Sequence, residues 1–153
     1  MTKREFVNKF WKSAQGACQN TPINPVMVMA AAAVESRWGD SGLTKEANNF
    51  FGIKSTDSWE KKGGEFVTKS TREVVKGKSI IIAAKFRKYA NPTECFMAYV
   101  QFLHQPRYVR AGVLDATTPE QQIKAVAAAG YATDPKYAET IIAVMVGLKT
   151  MLA

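Results

Sequence analysis

An unbroken apolar stretch, residues 26–34, constrains the fold of this 153-residue chain more than any other feature. Asn24 and Pro25 come directly before it and read as a helix cap and a first helical position. A helix that is apolar on all sides must be buried on all sides, and this one is too short to span a bilayer. We therefore predict that it is the central helix of a globular domain and that it ends near Gly39.

Glu35 follows the apolar stretch directly, one turn before the predicted end of the helix. Burial disfavours a charged carboxylate, and the partial negative charge at a helix C-terminus acts in the same direction. Both effects raise the pKa of Glu35 and favour a general acid that still holds its proton near neutral pH. The alternative is an exposed glutamate at a frayed helix end, paired with Arg37. This helix alone leaves both interpretations open.

Helix patterns cover most of the remaining chain. Residues 3–18 are amphipathic at helical spacing, and Pro92, Pro119 and Pro135 each follow an Asn, Thr or Asp that can cap a helix. The prolines therefore predict three further helix starts.

The one hairpin signal lies between these helices. Two runs rich in Val, Thr and Ile, residues 65–75 and 79–86, are separated by Lys76 and Gly77. The chain has no linker or internal repeat, so we predict a single domain, residues 1–153. Its class is α+β and mainly α, with one β-hairpin lobe over a cleft.

The formal net charge of +8 favours an anionic partner such as nucleic acid, anionic lipid or cell wall. No nucleic-acid-binding motif is present, and a solvated basic face is the alternative. Cys18, Cys95 and His104 lack metal-site spacing, so we expect no metal and no cofactor, with the two thiols either free or paired. Residues 6–14 alternate in a helical pattern rather than forming a signal core. Export by a signal peptide is therefore not expected of the chain as given, unless a leader has been removed.

Two glutamates stand on opposite parts of this predicted architecture. Glu35 belongs to the helical body and Glu73 to the hairpin, which is the arrangement that glycoside hydrolysis uses: one carboxylic acid and one carboxylate across a scissile bond. Exposed aromatic residues could stack on sugar rings. Glu60 and Glu65 compete with Glu73 on chemistry alone.

Several segments resemble the peptidoglycan N-acetylglucosaminidases, glycoside hydrolase family seventy-three, in the order that this family has them. The Glu-Ser-Arg-Trp-Gly motif around Glu35 is similar to the family's signature, and the segment around Glu73 is similar to its hairpin. The matching segments are residues 32–43, 47–54, 71–78, 84–89, 106–108 and 130–138.

The resemblance implies a lysozyme-like fold and an endo-β-N-acetylglucosaminidase that cleaves the β-1,4 bond between N-acetylglucosamine and N-acetylmuramic acid. It implies catalytic roles for Glu35 as acid, for Glu73 as second carboxylate and for Tyr131 near the reacting sugar. The residues that we expect to contact substrate are Trp38, Asn49, Phe51, Arg107, Tyr108 and Tyr137.

Two alternatives remain at this point: a lysozyme or lytic transglycosylase that cuts the other glycan bond, and a wall-binding module without catalysis. We expect a monomer that acts on peptidoglycan strands in the periplasm or outside the cell, with no nucleic-acid or membrane partner. Delivery from a phage, from a secretion machine or as an autolysin stays open, as does any immunity or delivery partner.

Overall fold

The computed structural model describes residues 1–153, and it is mainly helical with one antiparallel β-hairpin, as the sequence predicts. The bounds of the helices are α1 Lys3–Cys18, α2 Pro25–Glu35, α3 Gly42–Ala47, α4 Asp57–Lys61, α5 Pro92–Phe102, α6 Pro106–Arg110, α7 Pro119–Ala128 and α8 Tyr137–Leu152, with a 3₁₀ turn at Val113–Asp115. The strands are β1 Glu65–Val75 and β2 Lys78–Lys88. None of the helices combines the length and apolar character that a membrane span requires.

Helix α2 is the centre of the structure. Asn24 caps it, because its side-chain oxygen accepts a hydrogen bond from the backbone N–H of Val26 at 2.8 Å, and Pro25 takes the first position. Every residue from Met27 to Ala33 is buried. Helices α1, α7 and α8 pack around it, so the prediction of a buried central helix is confirmed.

Helix α2 ends at Glu35, four residues before the glycine predicted as its stop. Arg37, Trp38 and Gly39 all have positive φ, at 50°, 55° and 83°. Two consecutive non-glycine residues in this region are unusual and reverse the chain direction sharply. The buried Ser36 stabilises the reversal: its hydroxyl donates to the carbonyl of Ala32 at 2.5 Å and accepts from the N–H of Gly39 at 2.9 Å.

The hairpin extends from the helical body. Strands β1 and β2 pair in one continuous register from Glu65 opposite Lys88 to Val75 opposite Lys78. Lys76 and Gly77 form the turn, and both have positive φ. At the base, the segment around Lys54 runs antiparallel beside β2 and pairs with Phe86.

Helix α8 begins at Tyr137, two residues after the predicted start at Pro135. The reason is local: the carboxylate of Asp134 accepts a hydrogen bond from the backbone N–H of Lys136 at 2.8 Å, which forms a turn before the helix. The two short helices α4 and α6 were not predicted. Cys18 and Cys95 are buried, free thiols.

Candidate active site

A cleft of about 550 Å³ runs between the hairpin and the helical body. Glu35 lines it from α2, Glu73 and Thr71 line it from β1, and Tyr131 lines it from the loop before α8. The remaining walls are Phe51, Gly52, Ile53, Lys54, Thr56, Phe86, Phe102, Gln105, Arg107, Gly130, Ala132 and Thr133. The structure therefore brings the three residues predicted as catalytic into one cavity.

Glu35 also lines a second, smaller cavity of about 240 Å³. Asp134, Tyr137 and Thr140 line this cavity from the start of α8 and the loop before it. Glu35 thus borders both cavities.

The pKa of Glu35 is raised to about 7, mainly by burial and secondarily by the negative charge of Asp134. Aromatic rings supply much of the apolar surroundings. Phe51 and Tyr99 stack with their centroids 3.8 Å apart, and Tyr131 contacts Tyr99 edge to face at 5.8 Å. A carboxyl group with this pKa is about half protonated at neutral pH and mostly protonated below it, as a general acid requires.

Glu73 has the opposite kind of environment. Its carboxylate lies 2.9 Å from the ammonium group of Lys54, and both residues line the cleft. The backbone of Lys54 is fixed beside β2, because Ser55 donates to the carbonyl of Lys85 and Arg87 donates to that of Ile53. The ion pair therefore connects the distal part of β1 to a fixed point at the base of the hairpin.

Tyr131 lies in the cleft wall with its hydroxyl directed into the protein, where it donates to the carbonyl of Phe51 at 2.9 Å. Arg107 lines the cleft as well, and its guanidinium donates to the hydroxyl of Tyr108 at 2.5 Å. Tyr108 is fully buried and lines neither cavity. Tyr108 therefore holds the guanidinium of Arg107 in place through this hydrogen bond and does not itself face the cleft.

Two other residues expected to contact substrate also lie outside both cavities. Asn49 is buried, and its amide donates to the carbonyls of Ile53 and Arg87 at 2.9 Å each, so it holds the loop that carries Lys54 against β2. Trp38 packs edge to face on Phe6. Tyr137 lines the small cavity, where its buried hydroxyl has no hydrogen-bond partner.

Sequence reasoning missed two members of the site, Lys54 and Asp134. Lys54 lies in the matching segment 47–54, but its contact with Glu73 depends on how the hairpin curves over it. Asp134 was read only as a helix cap, because its proximity to Glu35 comes from the packing of α8 against α2.

Comparison with known proteins places this geometry in context. The family model described as "Mannosyl-glycoprotein endo-beta-N-acetylglucosaminidase" (Glucosaminidase) matches residues 11–150. The peptidoglycan hydrolase FlgJ of Salmonella typhimurium is 35% identical over 153 residues, which cover 97% of this chain and 47% of the relative. The exo-glucosaminidase LytG of Bacillus subtilis is 35% identical over 146 residues, covering 92% of this chain and 49% of the relative. The chain thus spans about half the length of these curated relatives.

Solved structures agree in fold. A mutant peptidoglycan hydrolase from Sphingomonas sp. A1 superposes with a TM-score of 0.83 at 28% identity, covering 97% of each chain. A C-terminally truncated glycoside hydrolase domain of Salmonella typhimurium FlgJ superposes with a TM-score of 0.75 at 33% identity, covering 97% of this chain and 99% of that one. The lysozyme-like fold class is therefore confirmed.

Proposed function

Because this chain belongs to the glucosaminidase family, we propose that it hydrolyses the β-1,4 bond between N-acetylglucosamine and N-acetylmuramic acid in bacterial peptidoglycan. The observation that carries the proposal is the pair of carboxyl groups in one cleft. Glu35 is partly buried with a pKa raised to about 7, and Glu73 is paired with a cation at 2.9 Å. Such unlike environments suit two carboxyl groups to the two different roles that the reaction needs.

In the proposed reaction, Glu35 gives its proton to the bridging oxygen as the bond to C1 of N-acetylglucosamine breaks. Glu73 takes a proton from a water molecule that attacks C1 from the opposite face, so the anomeric configuration inverts. The ring of Tyr131 forms the wall beside the reacting sugar, and Arg107 and Phe51 are the other residues that we propose as substrate contacts.

We further propose that residues 1–153 form one catalytic domain whose place of action is the cell wall, in the periplasm or outside the cell. A single hydrophobic core supports this, since it takes in residues from α1 to α8. The net charge of +8 favours binding to anionic wall polymers.

Digestion of purified peptidoglycan, with mass spectrometry of the fragments, tests the bond. Fragments with reducing-end N-acetylglucosamine support the proposal, whereas reducing-end muramic acid or an anhydro end would identify a lysozyme or a lytic transglycosylase. Release of only terminal units would indicate exo action, and a spread of chain lengths endo action. Proton NMR of the first product decides between inversion and retention.

The variant Glu35→Gln tests for catalysis itself, since the amide matches the carboxyl group in size and cannot donate the same proton. We expect the variant to bind peptidoglycan and release no fragments. Equal wall binding with equal, weak fragment release by wild type and variant would instead support a wall-binding module.

A further inference from the structure

The face of the hairpin that looks onto the cleft carries an apolar strip beside Glu73. Directly opposite residues of an antiparallel pair project from the same face. Glu73 lies opposite Ile80, and Thr71 lies opposite Ile82. Because Thr71 and Glu73 line the cleft, the two isoleucines widen that wall sideways, from β1 onto β2.

These side chains are partly exposed, Ile80 at 39% and Ile82 at 38%. More than half of the exposed large apolar side chains of the protein belong to the hairpin. Those of the hairpin are Phe66, Val74, Val75, Ile80, Ile81 and Ile82. A contiguous exposed apolar surface next to a cleft is typical of a ligand contact.

A free cation lies in line with the strip. Lys78, like Ile80 and Ile82, is an every-second residue of β2, and such residues project from the same face of a strand. Lys54, Lys69 and Lys85 are paired with glutamates, whereas Lys78 has no ion-pair partner. The cleft side of the tip thus offers two branched apolar side chains and one unneutralised positive charge.

We propose that Ile80, Ile82 and Lys78 form a subsite for the acidic stem peptide of peptidoglycan. The hairpin then gives the protein a preference for glycan that carries peptides. This inference rests on the proposed function. A glycan strand bound between Glu35 and Glu73 passes along this face of the hairpin, because Ile80 lies beside Glu73 and Ile82 beside Thr71 on it. The stem peptide begins at a lactyl group and alanine, whose methyl groups suit the isoleucines, and it carries free carboxylates that suit Lys78.

The opposite face of the hairpin provides a matched control. Val74 and Ile81 lie on that face, and at 49% and 65% they are even more exposed than Ile80 and Ile82. Threonine keeps the branched Cβ that strands favour while it removes apolar surface. The double variants I80T/I82T and V74T/I81T therefore make the same kind of change on two faces, with thermal unfolding to verify that both fold.

The substrates are soluble, uncross-linked glycan strands that carry stem peptides and the same strands after an amidase has removed the peptides. We expect I80T/I82T to raise KM about tenfold on the peptide-bearing glycan, a factor that corresponds to ~1.4 kcal/mol, and to leave KM on the stripped glycan unchanged. V74T/I81T changes neither value. Lys78→Gln raises KM on the peptide-bearing glycan alone and weakens its dependence on salt. Equal effects on both substrates, equal effects of both double variants or no effect of I80T/I82T would overturn the inference.

A binding measurement separates this inference from the proposed function. The affinity of the Glu35→Gln protein for each soluble glycan is measured by isothermal titration calorimetry, with and without I80T/I82T. If wild type cleaves neither glycan, the proposed function fails. A preference of the Glu35→Gln protein for peptide-bearing glycan that I80T/I82T abolishes would still support the subsite. Equal binding to the two glycans would refute it.

Discussion

The ammonium group of Lys54 lies 2.9 Å from the carboxylate of Glu73, and both groups face the cleft that holds Glu35. One partner is fixed at the base of the hairpin, and the other is carried near its tip. The pair thus sets where the second carboxylate points, although partly exposed ion pairs add little to stability.

Replacing Lys54 by methionine should slow hydrolysis with almost no loss of stability. Without the ammonium group, the Glu73 side chain is free to leave the orientation that the proposed reaction needs. We expect kcat to fall at least about tenfold, since small misplacements of reacting groups are costly, while the free energy of unfolding changes by no more than ~1 kcal/mol. Steady-state kinetics and urea unfolding measure the two effects. Lys54→Arg is the control and should keep most of the rate; a Lys54→Met enzyme at full rate would contradict this role.

The raised pKa of Glu35 makes stability depend on pH in a defined window. The folded protein holds this proton with a pKa of about 7, against an ordinary value of 4.5. Since the folded state binds the proton more tightly, the free energy of unfolding falls as the pH rises from 4.5 to 7, by at most about 3 kcal/mol. Urea unfolding of wild type and Glu35→Gln from pH 4 to pH 8 measures it. The difference between them should change within that window and stay flat outside it; a constant difference would argue against a protonated Glu35.

The same proton should set the alkaline limit of activity. The plot of kcat/KM against pH reports the free enzyme, so its alkaline limb should fall near pH 7, where Glu35 loses its proton. Replacing Asp134 by asparagine removes the charge that helps to raise this pKa, so the limb should move to lower pH.

Asparagine keeps the side-chain oxygen that accepts from the N–H of Lys136, so the turn before α8 is preserved. Glu139→Gln, on the exposed surface of α8, removes a charge of the same sign and should leave the limb in place. Because Asp134 is exposed, added salt should shrink the shift. A limb that is identical in wild type and Asp134→Asn would rule out this electrostatic effect.

Two tyrosines beside Glu35 should respond in opposite ways to loss of the hydroxyl. Tyr131→Phe removes the donor to the buried carbonyl of Phe51, and we expect it to cost about 1 kcal/mol of stability. Tyr137→Phe removes a buried hydroxyl that has no partner, so stability should stay the same or rise. Thermal and urea unfolding decide, and a larger loss for Tyr137→Phe would contradict the assigned hydrogen bonds. Kinetics of Tyr131→Phe also test its proposed place in the reaction.

Local signals explain which parts of the fold the sequence predicts. Proline after a capping residue fixes the starts of α2, α5 and α7, because cap and helix are neighbours in the chain. The turn at Lys76 and Gly77 fixes the hairpin register for the same reason.

Two kinds of relationship escape such reasoning: side-chain geometry at a helix end, and contacts that arise only when helices pack. The early end of α2 depends on a side-chain hydroxyl that stabilises a left-handed turn, and Asp134 reaches Glu35 only through helix packing. Three residues of the segments that match the family lie outside both cavities, namely Asn49, Tyr108 and Trp38. A sequence motif does not distinguish residues that touch a ligand from those that hold the ligand-binding residues in place.

The left-handed reversal after Glu35 has a consequence for engineering. Its hydrogen bonds anchor the acid to the interior of the helical body, independently of residues 65–88. Grafting a hairpin from another member of the family should therefore change substrate preference without resetting the strength of the acid, and the alkaline limb of the pH profile would then be inherited from the recipient rather than from the donor.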